Sequence, residues 1–379
     1  ACLMSGQYGP RHGIFTVGDP KRGNHPFRKL EPVPNQTVLD DRFITIAESL
    51  KTNGYVSASM GKWHLGSDPR SQGFDVNIAG KEWGSPSGGG YHSPYKYPNL
   101  VQNEKGEYLT DRLTLEAEKF IEANKDESFF LYLTHYAVHT PIQAKDSLTA
   151  KYEKKPKGEH HKNAKYAAMV ESFDDSTKAI LDTLDEMGLA ENTVVLFTSD
   201  NGGLDNGGKP TENAPLRSGK GHPYEGGIRV PFIVRWPGVV KPGTKSDEPV
   251  CSIDVLPTLV EAAGLKPPEA RKIDGLSLVS HVKSAGKKSL GRDELLWHFP
   301  HYRHAPGPYS IIRKGDWKLI RWDEGISELY NLDADLAETK NLARSAPKKL
   351  AELNERLDAL LAETNSKRTR PNPQWRPKQ

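Results

Sequence analysis

Thr193-Val194-Val195-Leu196-Phe197-Thr198-Ser199, followed at once by Asp200-Asn201-Gly202-Gly203, decides how the rest of the chain is read. The first part is a short apolar run rich in β-branched and aromatic residues, which reads as a strand, and the second has the composition of a tight turn. Immediately upstream, residues 164–187 carry helical periodicity and stop at Gly188. The same order recurs towards the N-terminus. Residues 40–51, with Phe43, Ile46, Ala47 and Leu50 on one face, precede a strand at 55–60, and a helix at 113–123 precedes a strand at 128–134. A further strand is expected at 230–236. Helices alternating with short apolar strands predict an α/β fold, with a mostly parallel sheet flanked by helices.

Past residues 253–263 the grammar changes. Runs at 294–299, 309–313, 317–322 and 327–332 are separated by short turns such as Lys314-Gly315-Asp316, then followed by a helical pattern at 346–363. That predicts a smaller C-terminal antiparallel sheet plus helix. The Lys/Ser/Gly stretch at 284–291 has linker composition. The expected division is therefore 1–285 for the main α/β domain, 286–365 for an α+β subdomain and 366–379 for a basic, unstructured or loosely docked tail.

In 379 residues, 52 Lys and Arg face 49 Asp and Glu, a net charge of +3. So even a balance argues against a nucleic-acid partner, which would need a basic face. No apolar run approaches the roughly 20 residues of a membrane span, and no leader pattern opens the chain. Cys2 and Cys251, the two cysteines, cannot build a disulfide framework.

In open α/β sheets ligands bind beyond the carboxyl ends of the strands. After the strand at 55–60 comes Gly61-Lys62-Trp63-His64-Leu65-Gly66, where Lys62 and His64 share one side if the backbone stays extended. After 128–134 comes His135-Tyr136-Ala137-Val138-His139-Thr140-Pro141, and Pro141 biases Thr140 to extended backbone, presenting His139 from a loop. Asp200 and Asn201 are oxygen donors of the kind a hard cation takes. Lys220 stands between glycines in Leu216-Arg217-Ser218-Gly219-Lys220-Gly221-His222-Pro223-Tyr224-Glu225-Gly226-Gly227, where Glu225 and Arg229 can pair across one turn. Two lysines, two histidines and a carboxylate-amide pair suit an anion site with proton transfer and a metal. Each motif alone also has a plain structural explanation as a strand end or turn. Their common placement is what favours chemistry.

These motifs, in this order and spacing, resemble the successive signatures of type I sulfatases. The resemblance runs from residue 1 to about 345 and includes Thr45 through Tyr55, which is similar to the helix and turn leading into the lysine-histidine motif. It implies an alkaline phosphatase-like fold and a sulfuric ester hydrolase that uses Ca2+ and a formylglycine made from Cys or Ser. It further implies that Asp200 and Asn201 ligate the calcium, that Lys62 and Lys220 bind sulfate oxygens, and that His139 with Lys220 protonates the leaving alcohol. His64 would hydrogen-bond the hydrated formylglycine, in hydrolysis through a covalent sulfo-enzyme intermediate.

Ala1-Cys2-Leu3-Met4-Ser5-Gly6 is similar to the stretch directly C-terminal to the family's nucleophile segment, which places the nucleophile and the first strand, with the remaining metal ligands, before Ala1. Cys2 lacks the Pro and Arg that the segment needs two and four residues later, and Cys251 lacks them too, so both read as small buried residues. The chain by itself is then expected to be inactive. A secreted or periplasmic location is implied by the resemblance alone. The Gly-, Ser- and aromatic-rich stretch 83–97, with His298 and His301 as candidate substrate-binding residues, suits a small sulfated saccharide, while Trp297 and Phe299 read as core by strand alternation. Two other readings remain at this point: a phosphomonoester or phosphonate-ester hydrolase of the same superfamily, and a sugar-binding protein without catalysis.

Overall fold

Thr45 rather than Asp40 opens the first predicted helix. Its hydroxyl accepts from the Glu48 N–H, and the Glu48 carboxylate accepts from the Thr45 N–H at 2.8 Å, a capping box that confines the helix to Ile46–Lys51. Phe43, Ile46, Ala47 and Leu50 are nonetheless buried in one cluster, as their spacing requires. The structure, a computed structural model, describes residues 1–18, 26–268, 272–303 and 305–376.

The strands among the described residues are β1 (Leu30–Glu31), β2 (Val56–Gly61), β3 (Val76–Ile78), β4 (Phe129–Thr134), β5 (Val195–Thr198), β6 (Phe232–Arg235), β7 (Glu294–Phe299), β8 (Tyr309–Lys314), β9 (Trp317–Trp322), β10 (Ser327–Asn331) and β11 (Arg370–Pro371). β3, β2 and β4 form a parallel sheet in that order, with Val56 opposite Phe129 and Gly61 opposite Thr134. The helix Leu109–Ala123 lays Ala117 and Phe120 on Ala58 and Met60 of β2. Behind it, Thr114 meets Ser176 of the helix Ala164–Glu186 through a buried hydroxyl pair at 2.5 Å.

β5 and β6 depart from the parallel expectation. They pair antiparallel, with Leu196 opposite Val234, in a ladder separate from β3-β2-β4. The connection from 199 to 231 doubles back and re-enters from the end at which β5 leaves. One consequence is functional: both ends of that connection lie together, so the turn after β5 and the glycine-rich run before β6 are neighbours.

The C-terminal sheet is antiparallel in the order β10-β9-β8-β7. One face, with Leu296, Ile312, Leu319 and Leu329, is covered by Leu353, Leu357, Leu360 and Leu361 of the helix Pro347–Glu363. The other face holds Tyr309, Ile311, Ile320 and Trp322 and packs on Tyr224 and Ile228 of the glycine-rich run, with Trp297 and Phe299 against the same cluster. The described part of the basic tail, residues 366–376, is docked on the rest of the chain. β11 pairs with β1, Leu30 opposite Pro371, and Asn372 Nδ2 donates to the Arg28 carbonyl at 2.8 Å. No helix among the described residues is long and apolar enough to cross a membrane.

Three histidines are held neutral inside this framework. Burial lowers His12 to about 3 and His135 and His301 to about 4 from the ordinary 6.5. His12 shows why: Nδ1 accepts from the Ile14 N–H at 3.1 Å, leaving no room for a second ring proton. The unfolded chain takes up protons at 6.5 that the folded chain refuses until about 4, so these groups cost nothing above 6.5 and destabilise progressively below it. Urea denaturation at pH 7.5, 6 and 5 is expected to show a falling midpoint. An unchanged midpoint across that range would remove the neutral assignment.

Candidate active site

Gly61 closes β2 at a positive φ of 103°, against β4 so tightly that a Cβ would stand 2.0 Å from the Thr134 carbonyl oxygen. The pairing continues one residue further: the Lys62 N–H donates to that oxygen and Thr134 Oγ1 donates back to the Lys62 carbonyl, both at 2.7 Å. Lys62 is thereby fixed at the carboxyl end of the sheet, and its Nζ lies 3.5 Å from Asp200 Oδ2. His64 does not follow it along an extended backbone. Its φ is 62°, so the chain turns between them, and both reach the cleft from different directions. The His64 ring lies over Gly84, where a Cβ would come within 2.4 Å of Cε1. Burial first, then the positive charges of Lys62 and Arg303, lower His64 to about 4, so it is a neutral imidazole at neutral pH.

His139 leaves β4 by way of a loop pinned from below. Tyr91, fully buried, donates its hydroxyl to the carbonyls of both Tyr136 and His139, at 2.6 and 2.8 Å. His139 Nδ1 lies 2.7 Å from the Thr140 carbonyl, which can only accept, so Nδ1 carries the proton. Nε2 of the neutral ring is then the basic nitrogen. Burial lowers the proton affinity of His139, the Thr140 carbonyl raises it, and Lys220 and Lys62 lower it further.

Asp200 and Lys220 are brought together by backbone packed on backbone. A Cβ on Gly202 would fall 1.7 Å from the Gly226 oxygen, and one on Gly219 would fall 2.3 Å from the Gly203 oxygen. The approach is sealed by Gly202 N–H to Gly227 O at 3.1 Å and Lys220 N–H to Gly203 O at 3.0 Å. Asn213 bridges the two segments, donating to the carbonyls of Gly203 and Ser218. Lys220 is therefore rigidly mounted and is no solvated loop lysine. Burial, Lys62 and Arg303 depress its proton affinity and Asp200 raises it.

Two features are absent from the sequence-based set of site residues. Arg303, after β7, lines the same cleft and acts electrostatically on both His64 and Lys220. Beneath the glycine-rich run sits an ionic cluster. Lys318 Nζ, fully buried, lies 2.9 Å from Glu225 Oε1 and 2.8 Å from Glu338 Oε1, and the Glu225 N–H donates to Glu338 Oε2 at 2.6 Å. The expected Glu225–Arg229 pair exists at 3.9 Å, but Lys318 is the nearer partner. The alternation Lys318, Ile320, Trp322 puts this lysine on the inward face of β9, a signal that was there to be read.

His298 and His301 do not fit the expected role as substrate ligands. His298 is buried with both ring nitrogens engaged, by Ser310 Oγ at 2.8 Å and the Lys367 carbonyl at 2.9 Å. His301 is buried against Phe15 and Phe299. The strand alternation that turns Trp297 towards its cluster sends His298 into the opposite layer, under the tail. Both cysteines are half-buried, and burial pushes the Cys2 thiol up and that of Cys251 up to about 12, the opposite of an activated thiolate.

Lys62, His64, His139, Asp200, Asn201, Lys220 and Arg303 thus line one cleft of about 1620 Å3, open along the carboxyl ends of β2, β4 and β5. Against families of known proteins, residues 1–265 match the Sulfatase family model, and residues 219–367 match that of the N-sulphoglucosamine sulphohydrolase C-terminal region. The chain belongs to the sulfatase family.

That family consists of sulfuric ester hydrolases, and the alkaline phosphatase-like α/β fold with a small antiparallel sheet agrees with the architecture here. A sulfatase of Formosa agariphila is 33% identical over 439 residues, spanning 97% of this chain and 79% of that protein. Mouse N-acetylgalactosamine-6-sulfatase is 33% identical, spanning 74% of this chain and 55% of its own length. Human steryl-sulfatase is 36% identical, but the match takes in 54% of this chain and 34% of that enzyme. Among solved structures, Ps i-CgsB in complex with k-i-k-neocarrahexaose superposes with a TM-score of 0.76 at 27% identity, over 95% of this chain and 80% of that one.

Proposed function

We propose that the cleft hydrolyses a sulfate ester carried by a saccharide. The observation that carries this reading is the convergence of Lys62, Lys220, His139 and Asp200, from four separate segments, close enough that each cation lowers the proton affinity of His139 while Asp200 raises it. Two ammonium groups at one spot are stable in company with an anion. A sulfate ester supplies one, and its bridging oxygen needs a proton when the alcohol leaves, which is the task of His139. The named saccharide sulfatases and the oligosaccharide complex among the relatives support the substrate class.

A calcium ion and a formylglycine belong to this proposal as family expectations. Asp200 and Asn201 fit part of a hard-cation shell. The Asp200 carboxylate is 65% exposed and meets Lys62 at 3.5 Å, while the Asn201 amide is anchored by Nδ2 donating to the Gly202 carbonyl. Calcium takes six to eight oxygens, and no cluster of three or more His, Cys, Asp or Glu side chains able to hold a metal occurs among the described residues. These two side chains would therefore supply a share of the shell. When bound, the ion supplies positive charge against which an oxygen anion is stabilised. Lys62 and Lys220 orient the ester, and His64, neutral at working pH, offers a hydrogen bond without adding charge.

Sulfate release by the whole protein, followed by ion chromatography with galactose 6-sulfate and galactose 6-phosphate as parallel substrates, tests the reading. Sulfate release with phosphate release at least a hundredfold slower is expected. The reverse preference would replace it with phosphoryl chemistry, and binding of the sulfated sugar without turnover would leave a lectin-like site.

A further inference from the structure

The Gly-, Ser- and aromatic-rich stretch 83–97 meets the cleft through Gly84 and Ser85, but its tyrosines turn the other way. Tyr91 and Tyr97 are buried in one cluster with Tyr108 and Tyr136. Tyr97 donates its hydroxyl to the Gly90 carbonyl at 2.9 Å and Tyr95 donates to the Glu107 carbonyl at 2.5 Å, so these two close the stretch on itself and on its flank. Tyr91 reaches further. Its hydroxyl crosses to the loop after β4 and donates to the Tyr136 and His139 carbonyls. With its side chain fully buried, Tyr91 cannot touch a substrate, and it can act on the cleft only through that loop.

The mount of Tyr91 is itself fixed. Its ring stacks on Tyr108, with centroids 5.8 Å apart and planes at 22°, and its carbonyl accepts from the Leu109 N–H at 2.8 Å. Its N–H donates to Gln143 Oε1 at 3.0 Å, while Tyr108 donates its hydroxyl to the Gln143 carbonyl at 2.9 Å. The loop is therefore gripped at 136 and 139 by one hydroxyl and at 143 by its neighbours. Burial holds the proton on the Tyr91 hydroxyl, so it remains a donor. Two contacts then define the His139 ring. Tyr91 sets the backbone from which the side chain departs, and the Thr140 carbonyl, 2.7 Å from Nδ1, sets its rotation and its tautomer. Deleting the first leaves the second on a loosened support, and a shift of about 1 Å in a catalytic group can cost on the order of a hundredfold in rate.

We propose that Tyr91 is a positioning residue for proton delivery: by holding the His139 carbonyl from beneath, it aims Nε2 at the leaving oxygen and so sets how well esters of poor leaving groups are cleaved. The proposal rests on the reading of His139 as the acid that protonates the departing alcohol. Tyr91 thus acts on the leaving group through the protein, without meeting the sugar.

Steady-state hydrolysis of galactose 6-sulfate and of nitrophenyl sulfate by the whole protein and by its Tyr91→Phe, His139→Ala and doubly substituted variants tests this. Tyr108→Phe, which deletes a comparably buried hydroxyl bond in the same cluster, is the control. In Tyr91→Phe, kcat for the sugar ester is expected to fall about tenfold or more, with its KM and the kcat for the aryl ester within about twofold of the unaltered protein. In the His139→Ala background the same change is expected to add less than about twofold, since both act on one proton transfer. Tyr108→Phe is expected to keep both esters within about twofold of the unaltered protein, the size of an effect that does not reach the loop. Equal losses on the two esters, an undiminished loss in the His139→Ala background, an unchanged kcat in Tyr91→Phe, or the same sugar-selective loss in Tyr108→Phe overturns the positioning role. Should Tyr91→Phe fail to fold, Gln143→Ala decides, because Gln143 is exposed and accepts the Tyr91 N–H: a loss of about threefold or more confined to the sugar ester supports the proposal, and no loss overturns it. If His139→Ala itself shows no loss selective for the sugar ester, the acid reading falls and the proposal with it; a selective loss there with none in Tyr91→Phe removes Tyr91 alone.

Discussion

Lys318→Ala is expected to cost roughly 3–5 kcal/mol of folding stability, the range for removing one partner of a buried ion pair. The ammonium group is fully buried and sits between two carboxylates, 2.9 Å from Glu225 and 2.8 Å from Glu338. Burial already pushes Glu338 above the usual carboxylate range, and Lys318 is what opposes that push. Removing it leaves two like charges facing each other inside the protein. The expected fall in Tm is roughly 6–10 °C if each kcal/mol is worth about 2 °C in a chain of this size. The sign of its pH dependence provides a check. In Lys318→Met the leftover carboxylates can relieve their repulsion by taking up a proton, so the deficit relative to the unaltered protein should shrink as pH falls from 7.5 to 5. A Tm within 2 °C of the unaltered protein at neutral pH would show that the cluster contributes little. The effect should also reach the active site. The Glu225 N–H binds Glu338, and Arg217 donates to the Glu338 carbonyl at 2.9 Å and stacks 3.7 Å from the Tyr224 ring, so this cluster clamps both ends of the segment that mounts Lys220.

His139→Ala in the whole protein is expected to lower turnover of an alkyl sugar sulfate by about 10²- to 10⁴-fold, the span of a positioned general acid, and turnover of an activated aryl sulfate far less. A phenolate with a low proton affinity leaves without help, whereas a sugar alkoxide does not. The protonation state imposes a second signature. In the free site, burial together with Lys62 and Lys220 holds the His139 proton affinity down, so a neutral ring with its proton on Nδ1 is the resting form. A bound sulfate offsets the two ammonium charges and raises that affinity, making Nε2 able to carry the proton that the leaving oxygen takes. The pH profile of kcat should therefore show its His139 limb at a higher pH than the profile of kcat/KM. Equal losses for alkyl and aryl esters, or superimposed profiles, would remove the acid role.

Much of this site was readable because the chemistry sits at strand ends. Lys62, His64, His139, Asp200, Asn201 and Lys220 each follow an apolar run or precede the next one, and all six line one cleft. Local rules failed where partners are far apart in the chain. Helix 40–51 shrank to Ile46–Lys51 because a capping box at Thr45 overrides a favourable apolar spacing. The expected parallel strand at 230–236 runs antiparallel to β5, since apolar alternation carries no direction. His298 satisfied every compositional criterion for a sugar ligand, yet Ser310 and Lys367 occupy both its nitrogens. The tail, polar and without period, is ordered by β1, more than three hundred residues away.

The sequence by itself determined the layer architecture, the order of the motifs and the family they resemble, because apolar periodicity, glycine placement and short runs of functional residues are local properties. Only the tertiary structure decided which charges meet. The interlock of Gly202 with Gly226 and of Gly219 with Gly203 brings Asp200 beside Lys220, Lys318 becomes the buried counterion of Glu225 and Glu338, and Arg303 arrives from the second sheet to join Lys62 and Lys220. The physical reason is range. Propensity and period act over a few residues, whereas Coulomb forces and burial depend on distances in space that folding alone sets.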